Sequence, residues 1–346
     1  MILGLHNHIK SLTINEKKQF LDECLRQNAN IIAITDYNTL SSYSELFLNL
    51  TKDELFKYRD LRFILGMELT GKYTYTDING KVYNLCVDLL AYNLDLNKYQ
   101  ELYKFIKYNY YDCRENELHY LIEICQKIGL KADYDKLEFT ENQDVFDILK
   151  QVFFNFKYYK DNLSKYRIFE DILNSYNLYN KNIDINSPFY YDKSRYYPEL
   201  NRVINKITTC GGISFLAHPA SYFKKNNYLL EHLLWLDSQK FTTNILNEYD
   251  LIKGLEIIHP SNLNNFNFMN FLNEMSMERN LFVTGGTDYF KNGDKITVDF
   301  NNFYIDNKRL YNICDWALVY DIYDLVEVGK YISNIEELPH EKVLIK

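Results

Sequence analysis

Glycine and proline are scarce in this chain of 346 residues, at 12 and 5. No internal repeat and no low-complexity linker interrupts it. A basic excess is also missing. Lys and Arg number 39 against 47 Asp and Glu, for a net charge of -8, so no global positive field advertises nucleic acid or an anionic membrane, although a local positive groove stays open. The six cysteines, at 24, 86, 113, 125, 210 and 314, are scattered without a C-x-x-C pair. They read as reduced core thiols of a cytosolic protein. No run approaches the roughly 20 apolar residues of a membrane span. The opening MILGLHNHIK has no basic segment followed by a long apolar one. The expected location is cytoplasmic, with no membrane partner.

What is present is ordinary in bulk, with 47% hydrophobic and 25% charged residues. Tyrosine is the exception, at 32 copies among abundant Asn, Lys and Ile. This reads as AT-rich codon bias, since a stacking surface needs a location before it means anything. The length suits one large α/β domain with an insertion, or two domains.

Short apolar runs recur, each ending in residues with chemistry. MILGLHNH delivers His6 and His8, IIAITD delivers Asp36, FILGMELT carries Glu68 and VYNLCVDLLAYN carries Asp88. Helical apolar periodicity separates them, as in Phe20, Leu21, Cys24 and Leu25, and a helix is expected over 41–60. Strand, helix, strand in succession predicts parallel βαβ units. Residues 97–199 instead read as helices and form an expected insertion. From 200 the first pattern resumes with ISFLAHP, GLEIIHP and LFVTGGTDYF, and the LVEVG and KVLIK runs are expected to close edges.

In parallel α/β folds the loops at the carboxyl ends of strands converge on one face. The residues gathered there are His6, His8, Asp36, Glu68, Asp88, His218, Glu256, His259 and Asp288. Imidazoles and carboxylates are the donors that suit Zn²⁺, Mn²⁺ or Fe²⁺. H-x-H on a strand turns both rings to one face, so one ion can take both.

LHNH, AITDYNTL, GMELT, VDLLAY, GGISFLAHP, GLEIIHP and TGGTDYF occur in the order and spacing of the PHP (polymerase and histidinol phosphatase) family. The chain resembles that family over roughly residues 1–295, and in particular its stand-alone phosphoesterases with a helical insertion. The resemblance implies a distorted (β/α)₇ TIM-like barrel built from 1–96 and 200–346, with 97–199 as the helical insertion, and up to three metal ions. By position, His6, His8, Glu68, His218 and Asp288 match metal ligands, with Glu68 bridging two sites. Four expected ligands are replaced, by Thr13, Tyr37, Asp88 and Phe290. The implied cofactor is a set of divalent ions (Mn, Zn or Fe) fewer than three, with one site surviving by ligand count.

Asp88 and Tyr37 are candidates for proton transfer. Arg114 falls where related phosphoesterases carry a phosphate-binding arginine, and His259 fits a structural or substrate-edge role. Asp36 and Glu256 read as organisers, and His119, His232 and His340 as surface residues. The expected activity is hydrolysis of phosphomonoesters, nucleotides or oligonucleotide 5′ ends. The alternatives are a catalytically degenerate relative that binds a nucleotide or protein partner, and a metallohydrolase of different chemistry such as amide hydrolysis.

Overall fold

The computed structural model describes residues 2–111, 197–224, 231–263, 265–289, 294–299 and 317–336, together with Tyr120, Glu123 and Lys127. The chain divides into two compact units, 1–106 with 198–338, and 107–197 with 339–346. Every strand among the described residues belongs to the first unit. Arg114, Phe290, His119, His340, the side chain of His232, the KVLIK run, the helices expected at 143–156 and 166–176, and all of the helix expected at 115–128 except Tyr120, Glu123 and Lys127 lie outside the described residues.

The first half alternates as the apolar runs predict: β1 (Ile2–Gly4), α1 (Ile14–Arg26), β2 (Ile31–Ile34), α2 (Ser41–Phe47), α3 (Lys52–Lys57), β3 (Phe63–Thr76), β4 (Val82–Tyr92) and α4 (Tyr99–Ile106). After the second unit come α5 (Leu200–Thr209), β5 (Ile213–Leu216), the short α6 (Ser221–Lys224), α7 (Glu231–Glu248), β6 (Ile252–Ile258), α8 (Phe266–Glu278), β7 (Phe282–Gly285), β8 (Val298–Asp299), β9 (Val319–Tyr320) and α9 (Ile322–Glu336). The helix expected over 41–60 is two helices. Thr51 starts the second, with its side chain and that of Glu54 capping each other's backbone amides. The LVEVG run lies inside α9, where Leu325, Val328, Ile332 and Ile335 bury one face at helical spacing.

One sheet runs β7-β6-β5-β4-β3-β2-β1-β8, with β9 paired to β3. A parallel bridge joins Asn7 to Tyr289, and the His8 amide donates to the Tyr289 carbonyl at 2.8 Å. This brings the ends of β1 and β7 together and nearly closes the sheet as a TIM-like α/β barrel. The pairs β1–β2, β2–β3, β5–β6 and β6–β7 are parallel, whereas β4 is antiparallel to both neighbours. The reason is local. Asp77 Oδ1 accepts from the amides of Asn79 and Lys81, and Gly80 takes φ +83°, so the chain reverses in a tight turn without a crossover helix.

Close packing explains one glycine at the carboxyl ends. A Cβ on Gly286 would lie 2.4 Å from His6 Cβ, so only glycine lets the tail of β7 pass against β1.

Candidate metal centre

Each functional side chain reaches the centre through a local device. Asn7, between the two histidines, points the other way and donates from Nδ2 to the carbonyls of Gly4 and Ala33 at 2.8 and 2.9 Å. That locks β1 to β2 and leaves both imidazoles on the opposite face. Asp36 lies two residues past the end of β2, and its Oδ1 accepts from the amides of Ile9 and Lys10 at 2.7 and 2.9 Å. It ties down the chain leaving His8. Glu68 sits on β3, where residues 63–71 are all buried, and is fully buried itself. A carboxylate taken out of water costs several kcal/mol unless it is paired. Imidazoles supply that pairing.

Glu68 divides its two oxygens. Oε2 lies 3.1 Å from both His6 Nε2 and His8 Nε2, which are 3.0 Å apart. Asp288 Oδ1 approaches the same two nitrogens at 3.8 and 3.4 Å. Oε1 lies 3.2 Å from His218 Nε2, and Glu68, His218 and Asp88 bring one donor atom each within 4.8 Å of one another. Two donor sets therefore share one carboxylate. Bonds of about 2.0–2.1 Å to a tetrahedral Zn²⁺ place neighbouring ligand atoms about 3.3 Å apart, the spacing of the first set.

The outer atoms fix which nitrogen faces inward. His6 Nδ1 pairs with Glu256 Oε1 at 2.9 Å, leaving Nε2 for the centre. This carboxylate–histidine pairing is typical of metal-ligating imidazoles. Glu256 Oε2 accepts from the His218 amide at 2.8 Å. Glu256 thus organises two ligands, using both oxygens. His218 Nδ1 meets Ser221 Oγ at 2.7 Å. Asp88, on β4 opposite Thr70, accepts from Thr70 Oγ1 at 2.6 Å.

Two observations fit an arrangement that takes a guest. His259 Nε2 and Asp288 Oδ1 are buried at the centre without a well-formed hydrogen bond, the bonding capacity that a bound ion or water fills. His218 and Asp288 hold left-handed backbones, φ +24° and +56°. Such conformations cost of order 1–3 kcal/mol and cluster at binding sites. The donors present thus fit a divalent cation.

Electrostatics agree. Burial lowers the affinity of His6 for a proton, but the Glu256 and Glu68 carboxylates overturn this and hold its pKa well above the usual value. His8 is raised despite burial by hydrogen bonds to Asp288 and Glu68, and His218 despite burial by Glu68. Glu68 opposes burial through His6, His218 and His8 and lies well below the carboxylate range, and Asp288 lies far below it through His259, His8 and His6. Without a cation, protons on the imidazoles balance the carboxylates.

The remaining expected residues separate. Tyr37 stacks its ring on His8, with centroids 4.3 Å apart and planes 10° from parallel, and stays 45% exposed. Packing around it and the charges of Glu68, Asp88 and Asp288 push its phenol well above the usual range, so it remains a proton carrier rather than an anion. Thr13 is exposed and caps α1 in a reciprocal pair with Glu16. That cap signal, Thr-x-x-Glu ahead of an apolar face, stands in the sequence. Ser221 and Ser261, which partner two histidines, carry no motif that marks them.

No family model and no curated protein matches the sequence. The fold is similar to an amidohydrolase from Chromobacterium violaceum solved with bound sulfate and no metal. The TM-score is 0.55 at 14% identity, covering 94% of this chain and 96% of that one. It is also similar to a candidate metal-dependent phosphoesterase from Bifidobacterium adolescentis, with TM-score 0.51 at 16% identity over 91% and 96%. At such identities the likeness extends to the barrel fold.

Proposed function

We propose that this chain is a PHP-type, metal-dependent phosphoesterase acting on phosphomonoesters, nucleotides or oligonucleotide 5′ ends. The observation that carries the reading is the division of Glu68 between two donor sets, His6, His8 and Asp288 on one side and His218 and Asp88 on the other. The name of the Bifidobacterium neighbour supports the reaction class. A divalent ion held there supplies the charge that activates water and neutralises phosphoryl oxygens.

The protein's own residues do the rest. Glu256 and Ser221 hold the His6 and His218 rings so that both Nε2 atoms face inward. Asp88 completes the second set, a harder, more oxygen-rich one than a second imidazole would give, suited to Mn²⁺ or Fe²⁺ more than to Zn²⁺. Tyr37 keeps its proton and offers it to a departing or bound oxygen at the open edge. Arg114 is proposed to contact the phosphate.

The test is phosphate release from a panel including nucleoside 3′,5′-bisphosphates and 5′-phosphorylated oligonucleotides, with added Mn²⁺, Zn²⁺ or Fe²⁺. Turnover that falls at least about 100-fold in Asp288→Asn supports the reading. No turnover with any ion, alongside retained binding of nucleotide, favours a degenerate relative that binds without hydrolysis.

A further inference from the structure

Four buried histidines crowd the centre, and the structure treats one of them differently. His6 and His218 each direct Nδ1 to an oxygen that can accept a proton, Glu256 Oε1 and Ser221 Oγ. His259 does the reverse. Its Nδ1 receives the backbone N–H of Ser261 at 3.1 Å, with Ser261 Oγ at 2.8 Å. A backbone amide only donates, so Nδ1 carries a lone pair and the ring proton sits on Nε2. The tautomer is enforced by the turn after β6. The amides of Asn262 and Leu263 both donate to the His259 carbonyl, and Asn262 Nδ2 clamps the carbonyls of Glu256 and Ile257. Ser261 therefore has no freedom to turn its amide away.

The consequence lies at Nε2. His259 is 5% exposed, and its Nε2 is buried without a well-formed hydrogen bond. The nearest carboxylate oxygen, Asp288 Oδ2, is 3.4 Å away. The ring lies 4.7 Å from His218 and 5.7 Å from His6, centroid to centroid. An N–H donor held by its own turn, aimed among metal-ligand candidates and meeting the Asp288 carboxylate only at 3.4 Å without good hydrogen-bond geometry, has capacity for an anionic oxygen brought from outside. A nitrogen carrying a proton does not ligate a cation.

We infer that His259 is a substrate-binding hydrogen-bond donor, its Nε2–H meeting a phosphoryl oxygen at the metal centre, and that it is not a metal ligand. The inference rests on the phosphoesterase reading for the identity of the oxyanion, but the tautomer is a property of the chain alone. Ser221 lies three residues after His218 and Ser261 two residues after His259. A serine hydroxyl faces each ring, but only the closer spacing brings the serine amide to Nδ1 as well, and that amide makes His259 the donor.

The experiment uses the full-length, metal-loaded protein and inorganic phosphate. Long-range ¹H–¹⁵N spectra of histidine-labelled protein, assigned with His259→Gln, are expected to show His259 with its proton on Nε2 before and after metal loading. His259→Leu is expected to weaken phosphate binding by calorimetry about 10- to 100-fold. His259→Gln, whose amide can donate from nearly the same place, is expected to recover much of it. Metal per chain stays at the wild-type value in both. A bare or metal-bound Nε2 in the spectra overturns the inference, as does His259→Leu losing metal while the loaded fraction binds phosphate normally. If His259→Leu does not fold, the wild-type spectra and His259→Gln still decide. Phosphate binding that depends on His259 in a protein without phosphoesterase turnover removes the hydrolytic reading and leaves this one standing.

Discussion

Two charge clusters of this barrel bury at least one ionisable group each, Lys17 in one and Glu68 in the other, and they are not alike. In one, Lys10 and Lys17 both donate to Glu45, and Lys10 also reaches Ser41. Lys17 is only 2% exposed, yet its charge has found a carboxylate, and no side-chain nitrogen or oxygen of this group is a buried orphan. In the other, Glu68 gathers three imidazoles while His259 Nε2 and Asp288 Oδ1 have only loose ion-pair contacts and no well-formed hydrogen bond, and His218 and Asp288 hold left-handed backbones. Burial and charge are common to both. Unfilled bonding capacity belongs to one, and it separates a site from a staple.

The largest expected difference concerns protons. His6, His8 and His218 are raised above their usual 6.5 in the fold. Raised imidazoles stabilise the metal-free fold below pH 6.5, and that contribution disappears as pH climbs through their folded values. A cation must displace the same protons. Metal affinity is therefore expected to rise about tenfold per pH unit for each proton displaced. Calorimetry in buffers of different ionisation enthalpy should register proton release, and its absence would contradict this balance.

The lysine cluster should respond in stability and not in metal content. Glu45→Ala strands Lys17 in the interior and is expected to cost about 1–3 kcal/mol in denaturant unfolding, a value below the full cost of a broken buried pair because Glu45 is partly exposed. Metal per chain should not change. If it falls, the two clusters are coupled.

The smallest effect is expected at Thr13. Thr13→Ala removes the α1 cap at about 1 kcal/mol, while Thr13→Asp keeps a capping oxygen and should be nearly neutral. Neither should alter metal binding. A gain of bound metal in Thr13→Asp would show that this exposed corner can reach the centre.

Much of this arrangement is legible in the sequence. His6, His8, Glu68, His218 and Asp288 stand at or near the ends of apolar runs, and strand-end convergence needs only the period of those runs. Other features are hidden because their causes are geometric. The antiparallel β4 depends on a five-residue turn whose Asn-Gly signal, Asn79–Gly80, is outweighed by the surrounding strand–helix rhythm. The LVEVG run satisfies strand and helix alike when read as five residues, and the apolar spacing from Ile322 to Ile335 decides for helix. Counting ligands by position leaves a single surviving site. It does not show that Asp88, antiparallel to Glu68's strand, shares a face with His218. The His259 tautomer set by the Ser261 amide depends on which way a turn points that amide, and no spacing rule carries that.

The two oxygens of Glu68 each face one donor set. Elemental analysis of protein purified without chelator and then loaded with Mn²⁺, Zn²⁺ or Fe²⁺, wild type beside Glu68→Gln, shows whether that carboxylate holds both sets together. One to two divalent ions per chain are expected in the wild type and fewer than about 0.2 in Glu68→Gln, because one amide cannot serve either set as a charged bridge. A wild type that holds fewer than about 0.2 ions with every metal, or a Glu68→Gln protein that holds as many as the wild type, would contradict that bridging role.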